Sequence, residues 1–437
     1  MLKKVLCLML VSALVMGANS AGVIRRNIVK EAFGNFELAR LGQNEAQCDT
    51  YEFHVLFDQN KYVIDEYTTT TDDGYILRMF RVGLSAFERQ KLSVADQSNI
   101  SKPILMVHAM GGSSDFYFIN GEKGSLGFYL VNKGYDVWTG DSRGTKFSKG
   151  HTNPDLSDKE FYDFSWQEMG KYDVPAFFRK ILENYSDPDQ KITYFGHSQG
   201  TTQMFISLLE PSSRPYVEKH LHDFVAIAPI TYLNHVSDDA MQILAKFEKI
   251  IKFDFSVLGV WDLFSYGCKQ NSDAWVKMIA LLCQLTGGFC NEFETVILGF
   301  DSKFDNIVNI LPTITEHGPS GTTARAIDHY AQLIKGGKDG EPIFRKYDLH
   351  SAEDNMKAYG QDTPPDWDFS TWTAPVTLVQ LDADTLGTQE NTNNLLAALP
   401  KGAAKVRHIL EWDHGTPLWA KDATPLFRIA DEVLSTA

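Results

Sequence analysis

Six short apolar runs, separated by stretches of helical pattern, constrain this chain more than any other feature. "KPILMVHAM" (102–110), "YDVWTGD" (135–141), "KITYFGHS" (191–198) and "DFVAIAPI" (223–230) come first, and "APVTLVQLDAD" (374–384) and "AKVRHILEW" (404–412) follow after about 140 residues. Between them, "LGFYLVNKG" (126–134), "FSWQEMGKYDVPAFFRKILENY" (164–185) and Gln199 to about Glu210 place their apolar residues at helical spacing. Pro175 marks a kink or a first-turn position in the second of these. Strands that alternate with helices form a mostly parallel sheet with helices on both faces. Ahead of the series, "VIDEYTTTTDDGYILRMFRV" has two strand-like runs around Asp72-Asp73-Gly74, a hairpin signal. Residues 84–101 are polar and read as a surface loop.

The long interval before the last two strands is rich in aromatic and apolar helical runs, among them "ILAKFEKIIKFDFSVLGVWDLF" and "WVKMIALLCQLTGG". The economical architecture is one α/β core, residues 21–230 and 371–437, with residues 231–370 inserted as a mainly helical cap. An independent second domain fits less well, because the core's last strands lie beyond the interval. With 437 residues, 43% of them hydrophobic, the chain has ample material for such a core. A formal net charge of −15 excludes the basic footprint of nonspecific nucleic-acid binding.

The third run leads into Gly196-His197-Ser198-Gln199-Gly200, a G-x-S-x-G pentapeptide. A random chain of this length contains one with a probability on the order of 0.1. Its setting raises its value: an apolar, β-branched run stands before it and a helical pattern, Met204, Phe205, Leu208 and Leu209, after it. That is the strand–turn–helix context of a nucleophile elbow. A serine hydroxyl needs a base and an acid to act as a nucleophile, and elbow enzymes order them Ser, acid, His along the chain. His414 follows the last strand in a loop at the carboxyl end of the sheet, whereas His408 lies inside that strand. The acid candidates are Asp382 and Asp384, two residues apart at the end of the preceding strand and not separated by spacing alone. Asp413, next to His414, is poorly placed to orient it. One oxyanion-hole N–H is expected from Gln199, and a second from the loop "HAMGGSS" after the first strand. His108 suits a structural role in shaping that loop.

Residues 1–20 carry Lys3 and Lys4, an apolar run from Val5 to Met16, and small residues Ala18 and Ser20 before a predicted cleavage point. They read as a secretory signal peptide, shorter in its apolar run than a membrane span. No other stretch is long and apolar enough to span a bilayer, so an integral membrane protein is not expected. Cys48, Cys268, Cys283 and Cys290 would remain, permitting two disulfides in three connectivities, with the local pair Cys283–Cys290 preferred. Their spacings resemble no zinc site. Asn99-Ile100-Ser101 and Asn184-Tyr185-Ser186 are glycosylation sequons.

Ordered segments over nearly the whole chain resemble the gastric and lysosomal acid lipases of the α/β-hydrolase superfamily. They are "DEYTTTTDDGYILRMFRV", "SLGFYLVNKGYDVWTGDSRGTKFSKGH", "FYDFSWQEMGKYDVPA", "GFDSKF", "HGPSGTTARAIDHYAQLIKGG" and "NMKAYGQDTPPDWD". The resemblance implies an α/β-hydrolase fold with Ser198, Asp384 and His414 as the triad, Asp384 being chosen over Asp382 by its place in "PVTLVQLDADTL". It implies Met110 and Gln199 as oxyanion-hole residues and paired cap cysteines near Cys283 and Cys290. The chain departs from the pattern at Ala109, where the family has glycine, at Leu381 and Asp382, at Thr388 and Asn391, and in the Gly-Thr-Pro after His414. No triad position is lost.

The expectation is a secreted or lysosomal serine hydrolase of lipid esters, triacylglycerols or steryl esters, working at a lipid-droplet or micelle surface and needing no cofactor or metal. The competing readings are a carboxylesterase or phospholipase on the same triad, a serine peptidase of the same fold, and a noncatalytic lipid-binding protein derived from a lipase. Such binding proteins typically lose triad residues, and here all three are present.

Overall fold

A computed structural model describes residues 50–237, 261–265, 303–337 and 340–435. Residues 1–20, read above as a signal peptide, and every cysteine, Cys283 and Cys290 included, lie outside the described residues.

The hairpin is β1 (Tyr62–Thr70) and β2 (Tyr75–Leu84), antiparallel and in register from Tyr62↔Leu84 to Thr70↔Ile76. The six apolar runs form β3 (Pro103–Val107), β4 (Asp136–Gly140), β6 (Ile192–His197), β7 (Leu221–Ile227), β10 (Val376–Leu381) and β11 (Ala404–Ile409). β5 (Gly150–His151) is a two-residue strand beside β2. Together they make one nine-stranded sheet in the order β1-β2-β4-β3-β6-β7-β10-β11, with β5 branching off that path at β2. From β4 to β11 every neighbouring pair is parallel, and β2 joins β4 antiparallel.

Every residue of β3, β4, β6 and β10 is buried. A strand covered on both faces has no solvent side to make polar, which is why these segments read as continuous apolar runs. Successive side chains alternate between two cores. Tyr194 and Phe224 enter one, with Phe177, Phe178 and Ile181 of α2 (Val174–Leu182) and Met204 and Phe205 of α3 (Gln199–Leu209). Phe195 and Val225 enter the other, with Leu130 and Val131 of α1 (Leu126–Asn132) and Leu426, Ile429 and Val433 of the C-terminal helix Thr424–Leu434. Helices therefore cover both faces.

Two segments differ in detail from their sequence pattern. The run 164–185 is not one helix: Trp166–Glu168 is followed by a π-turn, Met169–Asp173, and Pro175 falls in the first turn of α2. Close packing accounts for the turn, since a Cβ on Gly170 would stand 2.5 Å from the Gln203 carbonyl oxygen of α3. It also aims Asp173 at the buried Arg143, which donates to it from its backbone N–H (3.0 Å) and Nε (2.8 Å) and to Asp73 of the hairpin turn from Nη1 (2.6 Å). Residues 84–101 are more ordered than a loop, with Ser85 and Ser93 capping short helical turns at Ala86–Arg89 and Val94–Gln97.

The chain leaves the sheet after β7 and returns at β10, which pairs with β7. Between them the described residues include β8 (Asp262–Ser265), antiparallel to β9 (Ser320–Thr323), and the helices α4 (Ile307–His317) and α5 (Ala324–Lys335).

Candidate active site

Ser198 stands between the end of β6 and the start of α3, with φ 54° and ψ −116°. A non-glycine residue held there stores about 1–3 kcal/mol of strain and persists only where its surroundings over-determine it. They do so here. Its N–H donates to the Ile227 carbonyl (3.0 Å), and its carbonyl accepts from the N–H (2.8 Å) and Oγ1 (2.6 Å) of Thr201. The flanking glycines are sites of close approach. A Cβ on Gly196 would lie 2.7 Å from the carbonyl carbon of Gly200, and one on Gly200 would lie 2.2 Å from the carbonyl oxygen of Val107. The N-terminus of α3, with its unpaired N–H groups and positive end of the helix dipole, begins at the next residue.

β11 ends at Ile409, and the loop beyond it turns through Glu411, at φ 63°. Asp413 accepts from the N–H groups of Gly415 (3.1 Å) and Thr416 (3.2 Å) and from Thr416 Oγ1 (2.9 Å), starting the short helix Thr416–Trp419. This turn presents His414 to the elbow. Ser198 Oγ lies 2.7 Å from His414 Nε2, and His414 Nδ1 lies 2.7 Å from Asp384 Oδ2. Oδ1 of Asp384 accepts from the backbone N–H groups of Leu386 (2.8 Å) and Gly387 (2.9 Å). Burial disfavours the Asp384 carboxylate, but the facing His414 and these N–H groups outweigh it and hold its pKa below the usual range. Burial pulls His414 down, and the charge and hydrogen bond of Asp384 more than reverse this, so its pKa is raised.

Asp382 and Asp384 do not share a face. β10 stops at Leu381, and Asp384 turns back to donate its N–H to the Leu381 carbonyl (3.1 Å). The strand period therefore no longer applies at Asp384. Asp382 instead pairs with His408, Oδ1 to Nδ1 at 2.8 Å, and that histidine side chain is 45% exposed. The two rejected candidates thus occupy each other on the outside of the sheet edge.

The N–H groups of Gln199 and Met110 find no backbone acceptor among the described residues. Gln199 opens α3, and Met110 lies in the loop after β3, partly exposed. That loop is held from several directions. Ala109 O accepts from Gly112 N–H (3.0 Å) and His108 Nδ1 (2.8 Å), Gly111 O accepts from Ser320 N–H (2.7 Å), and the hydroxyls of Ser113 and Ser320 meet at 2.7 Å. His108 is buried, with Nε2 accepting from Ser142 N–H (3.1 Å), and burial pushes its pKa down to about 4. It is a neutral bracket for the loop. The sequence reading missed Ser320, the N–H pair of Leu386 and Gly387, and His197, whose Nε2 lies 2.8 Å from the His414 carbonyl oxygen. Of these, only His197 stands in the G-x-S-x-G pentapeptide. Of the sequon residues, Asn184 is exposed beyond α2, and Asn99 is half-buried with its amide donating to the Lys133 carbonyl (3.0 Å).

Residues 102–421 match the family model described as alpha/beta hydrolase fold, and residues 53–121 match the one described as a partial alpha/beta-hydrolase lipase region. The chain belongs to the α/β-hydrolase family. This α/β-hydrolase is 31% identical to gastric triacylglycerol lipase of Mus musculus over 364 residues, 83% of its own length and 86% of that protein. It is 30% identical to triacylglycerol lipase 1 of Arabidopsis thaliana over 342 residues, 78% and 79% of the two chains. An acetylester hydrolase from Corynebacterium glutamicum shares the fold, with a TM-score of 0.50 at 13% identity over 90% of this chain and 100% of that one. Relatives named as lipases over most of its length make this α/β-hydrolase an ester hydrolase of the lipase group.

Proposed function

We propose that this α/β-hydrolase is a lipase that cleaves carboxylic ester bonds of triacylglycerols or steryl esters through Ser198, His414 and Asp384. The observation that carries this reading is the unbroken path from Ser198 Oγ through His414 to Asp384, 2.7 Å at each step, with the serine on a positive-φ elbow. His414 Nε2 takes the Ser198 proton as Oγ bonds to the acyl carbon. The N–H groups of Gln199 and Met110 stabilise the oxyanion. His414 then protonates the departing alcohol, and water, deprotonated by the same imidazole, releases the acid and restores Ser198. Asp384 holds Nδ1–H in place and stabilises the imidazolium.

The cap reading of residues 231–370 finds support in Ser320, an insertion residue that bonds the loop carrying Met110. A cap of this kind suits action at a lipid-droplet or micelle surface. Passage through the secretory pathway, to the cell exterior or to the lysosome, is supported by the leader 1–20 and the exposed Asn184 sequon. Among the described residues no helix is long and apolar enough to cross a membrane.

The test is hydrolysis of triacylglycerol, cholesteryl ester, phospholipid and a monomeric short-chain ester from pH 4 to 8, with Ser198→Ala as control. The reading expects neutral-lipid esters to be cleaved best, faster as micelles than as monomers, and Ser198→Ala to be inactive. Preference for the monomeric ester or the phospholipid would make it a carboxylesterase or phospholipase. Lipid binding without turnover would make it a carrier.

A further inference from the structure

His197 closes β6 directly before the elbow, with its ring buried. Nε2 lies 2.8 Å from the backbone carbonyl oxygen of His414. A carbonyl only accepts, so Nε2 carries the proton. The ring is neutral, because burial, and then the neighbouring His414, push its pKa down to about 3. Nδ1 is therefore an unprotonated lone pair. Among the described residues it has no hydrogen-bond partner, and neither has Oγ of Ser125, which is buried as well. His197 and Ser125 line the same cavity, which leaves about 10 Å³ for the centre of a guest. Its other walls include Tyr117, Ile227, Leu418 and Leu426, all buried. That volume matches one water, and two residues with unpaired buried polar atoms in a mostly apolar lining are what a buried water satisfies.

We propose that this cavity holds one water molecule, donating to His197 Nδ1 and paired with Ser125 Oγ, and that His197 held in this way is a positioning residue for His414. The inference rests on the triad reading above. A donor at Nδ1 fixes the proton on Nε2. With the proton on Nδ1, the Nε2 lone pair would face the lone pairs of the His414 carbonyl and push the loop away. Holding that carbonyl holds the backbone from which the His414 ring reaches Ser198 Oγ. Leu418 of the following short helix also lines the cavity, so the water site lies under the turn that presents His414.

The test compares His197→Phe, His197→Gln and Ser125→Ala with the wild type on a soluble monomeric ester, alongside thermal unfolding and a high-resolution crystal structure of the wild-type enzyme. His197→Phe keeps a flat ring and loses the donor. It is expected to lower kcat by roughly 10- to 100-fold with KM within about twofold, as for a displacement of under 1 Å at the reacting atoms. His197→Gln restores an N–H toward the His414 carbonyl and should recover most of that loss. Ser125→Ala, which removes one of the two partners, should lower kcat about threefold. The crystal should show one water within hydrogen-bond distance of both atoms. A dry cavity overturns the water, and a His197→Phe enzyme with wild-type kcat overturns the positioning role. Equal losses in the Phe and Gln variants that track their melting temperatures would also overturn it. Activity surviving in Ser198→Ala would instead defeat the triad reading itself.

Discussion

Adding one methyl group at Gly200 should disable this enzyme from the protein side. The Cβ of Gly200→Ala would stand 2.2 Å from the Val107 carbonyl oxygen, 2.9 Å from its carbon and 3.1 Å from the His108 carbonyl oxygen. Ordinary contact begins at 3.4 Å. All three neighbours are backbone atoms at the end of β3, so no side chain can swing aside. α3 and the end of β3 must separate by roughly 1 Å, and interiors packed at crystal-like density transmit such shifts. The gap opens between Gln199 on one side and the loop of Met110 on the other, the two proposed oxyanion donors. A misplacement of about 1 Å at a reacting centre costs on the order of 100-fold in rate. Overpacking adds about 1–3 kcal/mol of instability. Gly83→Ala is the control, since its nearest neighbour is a side-chain atom, Arg89 Nη2 at 3.0 Å, and no backbone atom stands in the way. The assay is kcat/KM on a soluble ester together with thermal unfolding of both variants. We expect Gly200→Ala to lose about two orders of magnitude in kcat/KM and a few degrees in Tm, and Gly83→Ala to lose neither. Gly200→Ala with kcat/KM within about threefold of wild type would refute the close-approach account of the elbow.

Asp384→Asn should lower kcat by roughly 10⁴-fold, the scale seen when a triad histidine loses its orienting carboxylate. The residual activity should also change its pH profile. Asp384 is what raises the His414 pKa against the pull of burial, so without its charge His414 sheds its proton at lower pH and the acid limb of kcat/KM moves down; a limb that stays fixed would exclude His414 as the titrating base. Asp382→Asn and His408→Ala should each leave kcat/KM within about twofold, because this half-exposed pair lies outside the triad path; a tenfold loss in either would count against the choice of Asp384.

The core was legible because burial on both faces removes the polar half of a strand's pattern. β3, β4, β6 and β10 appear in the sequence as apolar runs a few residues longer than the strands themselves. The elbow was legible because its steric needs, small residues on either side of a strained serine, are met by residue type. Asp384 was not separable from Asp382 by strand period, because β10 ends at Leu381 and the chain turns before Asp384. The π-turn at Met169–Asp173 left no trace beyond Gly170 and Pro175, since its cause is the approach of α3 from elsewhere in the chain. Ser320 was invisible for the same reason: its partner Ser113 lies 207 residues away in sequence. His197 filled the variable position of the pentapeptide, where spacing says nothing of a bond to the His414 carbonyl.

Covalent capture of the nucleophile tests the central claim most directly. The protein is treated with a fluorophosphonate, which phosphonylates an activated serine, then digested and read by tandem mass spectrometry alongside Ser198→Ala. The account predicts a single adduct on Ser198, loss of esterase activity in step with labelling, and neither labelling nor activity in Ser198→Ala. Activity abolished by an adduct at another residue, or hydrolysis persisting in Ser198→Ala, would contradict it.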